Sequence, residues 1–135
     1  MVDSKDVELV NDSLERCSSQ AELFARFYSR FHDSSDEVAA KFAGTDPKAQ
    51  ARALRTAFLL LLQAVSGDPH AWQQLELRAV RHDRRHLDIR PELYELWRDS
   101  LLETVRESDP GADDRTEAAW RRVVQQAIDF MVARY

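Results

Sequence analysis

The stretch Trp72–Leu102, WQQLELRAVRHDRRHLDIRPELYELWRDSLL, decides how the chain folds. Asp68 and Pro69 stand just ahead of it, and an Asp cap followed by Pro at the first helical position starts a helix. From there Trp72, Leu75, Ala79 and His82 recur at i, i+3, i+7 and i+10, which is one face of a helix. An apolar stripe therefore ends on a histidine. A basic connection follows, and Pro91 opens a second helix. Glu92 and Glu95 lie at its start, where the helix dipole favours carboxylates. Tyr94, Trp97, Leu101 and Val105 share one face of that helix. An imidazole at the end of the first helix is thus expected to point toward the aromatic face of the second.

Outward from this stretch the chain reads as helix after helix. Upstream, Asp46-Pro47 opens a long helix with Gln50, Leu54, Ala57 and Leu61 along one side, stopped by Gly67-Asp68-Pro69. Before it, Ser34 with Glu37 has the spacing of a capping box and starts a short segment ending at Phe42, ahead of Gly44. Ser19 with Glu22 is another such box, opening a helix whose face is Leu23 or Phe24, Phe27, Tyr28 and Phe31. Val7, Val10, Leu14 and Cys17 form the stripe of a first helix. Downstream, Ser108-Asp109-Pro110-Gly111 is a break. Asp114 with Glu117 is expected to cap a last helix carrying Trp120, Val123, Ala127 and Met131 on one face. No run of alternating apolar residues suggests a strand. The periodicity and caps give an all-α protein; they do not choose among helical topologies.

Composition narrows the function. A chain of 135 residues is expected to form one domain, spanning 1–135, with a core of its own. Its net charge of -5 argues against nucleic-acid backbones as partners, which call for a basic surface. The apolar run Ala57–Val65 is too short to cross a bilayer, and the polar sequence after Met1 does not read as a signal peptide. A single cysteine, Cys17, rules out an internal disulfide and fits a reducing cytoplasm. The last two helices carry broad apolar faces with Trp97, Trp120, Phe130 and Met131, which favours a homodimer through them.

The ordered landmarks resemble the globin family, in particular the globin domains of bacterial flavohaemoglobins and related single-domain bacterial globins. In that family a proximal histidine closes the haem-binding helix, a short loop follows, and Pro-Glu-x-Tyr opens the next helix, as in Pro91-Glu92-Leu93-Tyr94 here. The Phe-Tyr-x-Arg-Phe run at Phe27–Phe31 is similar to the family's second helix, with Tyr28 at the distal tyrosine position. Phe42 matches the phenylalanine that stacks on the porphyrin, and Gln50 and Leu54 match the distal pair above it. Trp120 matches a tryptophan early in the final helix. The resemblance covers the chain from about Val7 onward. It implies a globin-like 3-over-3 helical sandwich without a separate helix between Phe42 and Gln50.

It also implies a site. The cofactor would be haem b, with His82 as proximal iron ligand and His86, one turn on, as its rival. Ala79 and Val80 precede His82, whereas Asp83, Arg84 and Arg85 surround His86 with charge. Phe42, Leu54, Ala57, Arg81, Ile89, Tyr94 and Trp97 would contact the cofactor; one or two arginines of the run Arg78, Arg81, Arg84 and Arg85 would face its propionates. Haem iron requires an axial donor, and neutral imidazole serves where oxygen is bound. Tyr28 can offer O–H and Gln50 N–H to a ligand that carries partial negative charge. His32 and His70, at helix ends, are expected at the surface. The expected ligands are oxygen, nitric oxide or carbon monoxide. Nitric-oxide dioxygenation would need an external reductase, since no flavin or nicotinamide module follows. A gas sensor and a haem-free globin-like interaction module are the alternatives. The glutamate that flavohaemoglobins carry near the end of the last helix has no clear match, Asp129 lying too early.

Overall fold

The computed structural model describes residues 2–17 and 19–135. Seven helices follow one another: α1 (Ser4–Arg16), α2 (Gln20–His32), α3 (Asp36–Lys41), α4 (Pro47–Val65), α5 (Pro69–His82), α6 (Pro91–Ser108) and α7 (Asp114–Val132). No strand occurs among the described residues. They form the globin-like 3-over-3 sandwich, α1, α4 and α5 over α2, α6 and α7, with α3 as a short link. Phe42 caps α3, and only a turn separates it from Pro47, so no helix stands between Phe42 and Gln50.

The boundaries follow from local chemistry. Asp46 and Asp68 each accept a backbone N–H of the helix they cap, with Pro at its first turn. Ser19 accepts from the Glu22 N–H, whereas the Glu22 carboxylate pairs with Arg26 along the helix. Two caps differ from the expectation by one residue. Ser35, not Ser34, caps α3 by accepting from the Val38 N–H, and the Ser34 hydroxyl donates to the Phe31 carbonyl. Asp113, not Asp114, caps α7 through the Thr116 N–H. Gly67 ends the α4 corner at φ +108°, a conformation that costs other residues a Cβ clash.

The core lies where the two layers meet. Trp120 is fully buried on α7 and stacks on Phe58 of α4 at 5.1 Å. Phe58 in turn meets Phe24 of α2, and Phe27 meets Trp97 of α6 edge-on at 5.4 Å. Leu23 and Phe24 are both buried, so α2 presents a wider apolar face than the stripe alone requires. Of the side chains that suggested a dimer, Trp120 is buried against Phe58, while Trp97, beside Phe27, and Phe130, 4.9 Å from Trp72, are half-buried. Buried polar groups tie the helix ends. Asp109 accepts from Arg16, from the Ser13 hydroxyl and from the Gly111 N–H; Asp6 accepts from Arg122. No described helix is long and apolar enough to cross a membrane.

A second, smaller cluster of Ala64, Ala71 and Leu75 fastens α4 to α5 at the Gly67 corner, with Leu60, Trp72 and Phe130 against it. Farther from the corner the inward residues of both helices, Gln50, Leu54, Ala57, Arg78 and His82, are only half-buried. Neither α4 nor α5 packs substantially on α6. These half-buried faces of α4 and α5 stand beside α6 without packing closely on it.

Candidate functional site

His82 closes α5, and its ring is fixed by its own helix. The Nδ1 lies 2.6 Å from the carbonyl oxygen of Arg78, one turn back, so Nδ1–H donates and Nε2 keeps its lone pair. Burial pushes the ring's pKa below its ordinary value of 6.5, against the backbone bond, which pulls the other way. The neutral imidazole is the form that can ligate a metal. His86 is placed otherwise. Its ring is half-exposed and its Nδ1 faces Asp83 Oδ1 at 2.7 Å, a contact at the surface. Of the two rivals, His82 turns its Nδ1 into its own helix and His86 turns it to a surface carboxylate.

The backbone after His82 wraps tightly onto the helix end. Leu87 N–H donates to the Arg81 carbonyl, Asp88 N–H to Asp83 and Ile89 N–H to His82. Asp88 adopts φ +51°, the left-handed conformation that Asp tolerates better than most residues. Its carboxylate accepts from the Tyr135 hydroxyl, and Arg84 donates to the Tyr135 carbonyl at 3.2 Å. The chain's last residue thus braces the connection beside His82. Nothing in the local sequence predicted this long-range contact.

Half-buried apolar side chains from four segments, Phe42, Leu54, Ile89, Tyr94, Leu96 and Trp97, pack on the core from its edge. Their placement includes five of the expected cofactor contacts. Ala57 is half-buried on the same side of α4, and Arg81 is exposed. Phe42 is met edge-on by Tyr28 at 5.2 Å and by Phe31 at 5.7 Å. Burial pushes the Tyr94 phenol up to about 12, so it stays protonated. A flat apolar group fits the residue set: one free imidazole nitrogen, aromatic and aliphatic walls, and arginines outside. No group of three or more His, Cys, Asp or Glu able to hold a bare metal ion occurs among the described residues.

On the opposite side, Tyr28 is buried on α2 and Gln50 is half-buried on the first turn of α4. The two helices pack closely. Neither the Tyr28 hydroxyl nor the Gln50 carboxamide has a hydrogen-bond partner among the described residues. Beside Tyr28 a cleft of about 350 Å³ opens between α2 and the start of α4, lined also by Ala25, Ser29, His32, Pro47 and Lys48. It includes neither Gln50 nor His82. His32 is half-buried with Nδ1 near Asp33, and His70 is exposed, close to the surface positions expected for them.

The arrangement of helices and the aromatic framework define a globin fold. No family model matches the sequence, and no curated protein matches it. Among solved structures the chain is similar to the protein PA3967 of Pseudomonas aeruginosa, described as structurally highly homologous to a human hemoglobin. The two share 38% sequence identity over 96% of this chain and 98% of that one, with a TM-score of 0.90. The chain belongs to the globin family.

Proposed function

We propose that this protein binds haem b through His82 and takes up a diatomic ligand beneath Tyr28 and Gln50. The observation that carries this reading is the Nδ1–H bond from His82 to the Arg78 carbonyl, which commits the ring's tautomer and leaves Nε2 free. When bound, the haem supplies an iron centre that coordinates oxygen, nitric oxide or carbon monoxide. The protein's own share is positional. Phe42, Leu54, Ala57, Ile89, Tyr94 and Trp97 exclude water and hold a flat apolar body. Tyr28 O–H and Gln50 N–H, with no competing partner, are available to donate to a ligand that carries partial negative charge. Arg81, exposed beside His82, is available to a propionate.

Two donors over one ligand favour retention over easy release, so binding or turnover of oxygen and nitric oxide is the reading the residues support best. Nitric-oxide dioxygenation would draw electrons from an external reductase. The test is an absorption spectrum of the purified protein mixed with one equivalent of haem. A Soret band that shifts on reduction and again with carbon monoxide is expected. A spectrum of free haem would end this reading and favour a haem-free interaction module.

A further inference from the structure

Three large apolar side chains are exposed among the described residues: Leu77 at 57%, Val80 at 48% and Leu87 at 55%. They lie together. Leu77 and Val80 are three residues apart on the outer side of α5, away from His82, and Leu87 is folded back against the same helix end by its N–H bond to Arg81. Single exposed leucines are ordinary; a shared patch holding all of them is not.

The patch is ringed by positive charge. Arg81 and Arg85 are exposed beside it, and neither makes an ion pair with a described carboxylate, while Arg84 adds its charge from over the Tyr135 ring. The Lys41 ammonium adds to them, donating to the Leu87 carbonyl at 2.7 Å. The acids nearby are fewer: Glu76 pairs with Arg134, and Asp83 and Asp88 accept from His86 and from the Tyr135 hydroxyl. A chain of net charge -5 thus gathers Arg81, Arg84, Arg85 and Lys41 around the large apolar side chains exposed among its described residues. An apolar centre with a predominantly positive rim is the form of a transient docking site. The rim's sign calls for an acidic partner, and the patch backs directly onto the helix end that carries His82.

We propose that this surface docks an acidic one-electron carrier protein, which passes an electron to the haem iron at the His82 side. The inference rests on the haem reading above. In the transfer one electron leaves the carrier's reduced centre and converts ferric iron to ferrous, leaving the carrier oxidised by one electron. No bond to either protein forms or breaks.

The sign of the salt effect tests it. Two acidic proteins repel as wholes, so screening should speed their encounter; docking on a local basic rim should be slowed by the same screening. The probe is flavodoxin, a small acidic flavoprotein, with the haem-loaded protein. Raising ionic strength from about 0.01 M to 0.15 M shortens the Debye length from about 30 Å to about 8 Å. The second-order rate of reduction by flavodoxin hydroquinone should fall by roughly tenfold or more over that range. Reduction by the neutral radical of 5-deazariboflavin, which needs no docking, should not change. Binding is read separately, by amide chemical shifts on adding oxidised flavodoxin, which should move between Leu77 and Leu87.

Val80→Glu/Arg85→Glu should remove both effects while reduction by the neutral radical stays normal. Arg115→Glu/Arg121→Glu, which adds more negative charge on exposed positions of α7, should leave them nearly intact. Several outcomes overturn the proposal: a flavodoxin rate that is flat or rises with salt, shifts elsewhere than the patch, or equal losses in the two double variants. A normal Soret band with any of these overturns the docking surface alone; no Soret band overturns the haem reading beneath it.

Discussion

The imidazole Nδ1 of His82 lies 2.6 Å from the carbonyl oxygen of Arg78, one turn back on the same helix. That carbonyl lies a full turn inside α5, so the ring adds a bond to a group the helix backbone already serves. Here the same bond does a second thing, because it fixes which nitrogen keeps the lone pair. His86, one turn farther on, spends its Nδ1 on Asp83 at the surface.

His82→Gly should therefore abolish stable haem binding and recover it when imidazole is added, while His86→Ala should load normally. The Soret absorbance that survives gel filtration measures both. Loss of haem in the His86 variant and retention in the His82 variant would move the ligand by one turn.

Burial holds the His82 ring below its ordinary pKa of 6.5. The unfolded chain then takes up this proton before the folded one as pH falls. Between the folded value and 6.5 the unfolded state binds more protons, so stability rises with pH across that window and is lost toward acid. The slope from one group is at most about 1.4 kcal/mol per pH unit. Urea unfolding of apoprotein between pH 7.5 and pH 5 should show this loss, and His82→Gln should reduce it. Identical pH slopes in the two proteins would mean the ring is as wet in the native state as in the unfolded one.

Tyr28 and Gln50 are expected to act on ligand escape. Each hydrogen bond to a partly anionic ligand contributes about 0.5–1.5 kcal/mol or somewhat more. Losing both in Tyr28→Phe/Gln50→Leu should speed oxygen dissociation by roughly ten- to hundredfold. Association should change little, and carbon monoxide, which carries less charge, should respond far less. Stopped-flow dissociation rates for the single and double variants decide it; unchanged oxygen release in all three would remove both residues from the site.

Gly111 sits where a Cβ would come within 2.6 Å of the Arg16 Nε. That guanidinium is held by Asp109 at 2.8 Å and 2.9 Å. Burial raises the Asp109 carboxyl, but the bonds from Arg16, Ser13 and Gly111 outweigh it and hold it below 3.8, so this contribution is lost as pH falls under that value. Gly111→Ala must push Arg16 off its partner and should cost about 1–3 kcal/mol in thermal or urea unfolding. Adding Arg16→Ala should cancel most of that penalty, since the two effects share one contact. Additive losses would show that the alanine acts through the turn backbone instead.

The helix boundaries were legible because Pro and Asp act within one turn. Pro47, Pro69 and Pro91 each begin a helix as expected. The caps at Ser35 and Asp113 slipped by one because Ser34-Ser35 and Asp113-Asp114 each offer two equivalent side chains, and only the backbone angles choose between them. Asp6, Ser13 and Asp109 are buried although polar residues of helix faces normally stay wet; their partners lie 93 to 116 residues away along the chain. The position of His82 could be read from its stripe. Its tautomer could not, because that depends on a ring torsion. The bracing of Asp88 by Tyr135 was likewise invisible to local patterns.

The small side chains at the Gly67 corner have a consequence for the distant end of the same two helices. Ala64 and Ala71 are almost wholly enclosed, so α4 and α5 meet there with little side chain between them. Gln50 lies fourteen residues from Ala64 along α4, roughly 21 Å at the helical rise. The corner is a fulcrum and α4 is a long arm. A side chain one or two carbons larger at Ala64 or Ala71 would rotate that arm, and the displacement would be greatest at its tip. The span from Gln50 to His82 is thus set jointly by two small residues at that corner and by the packing of α4 on α2.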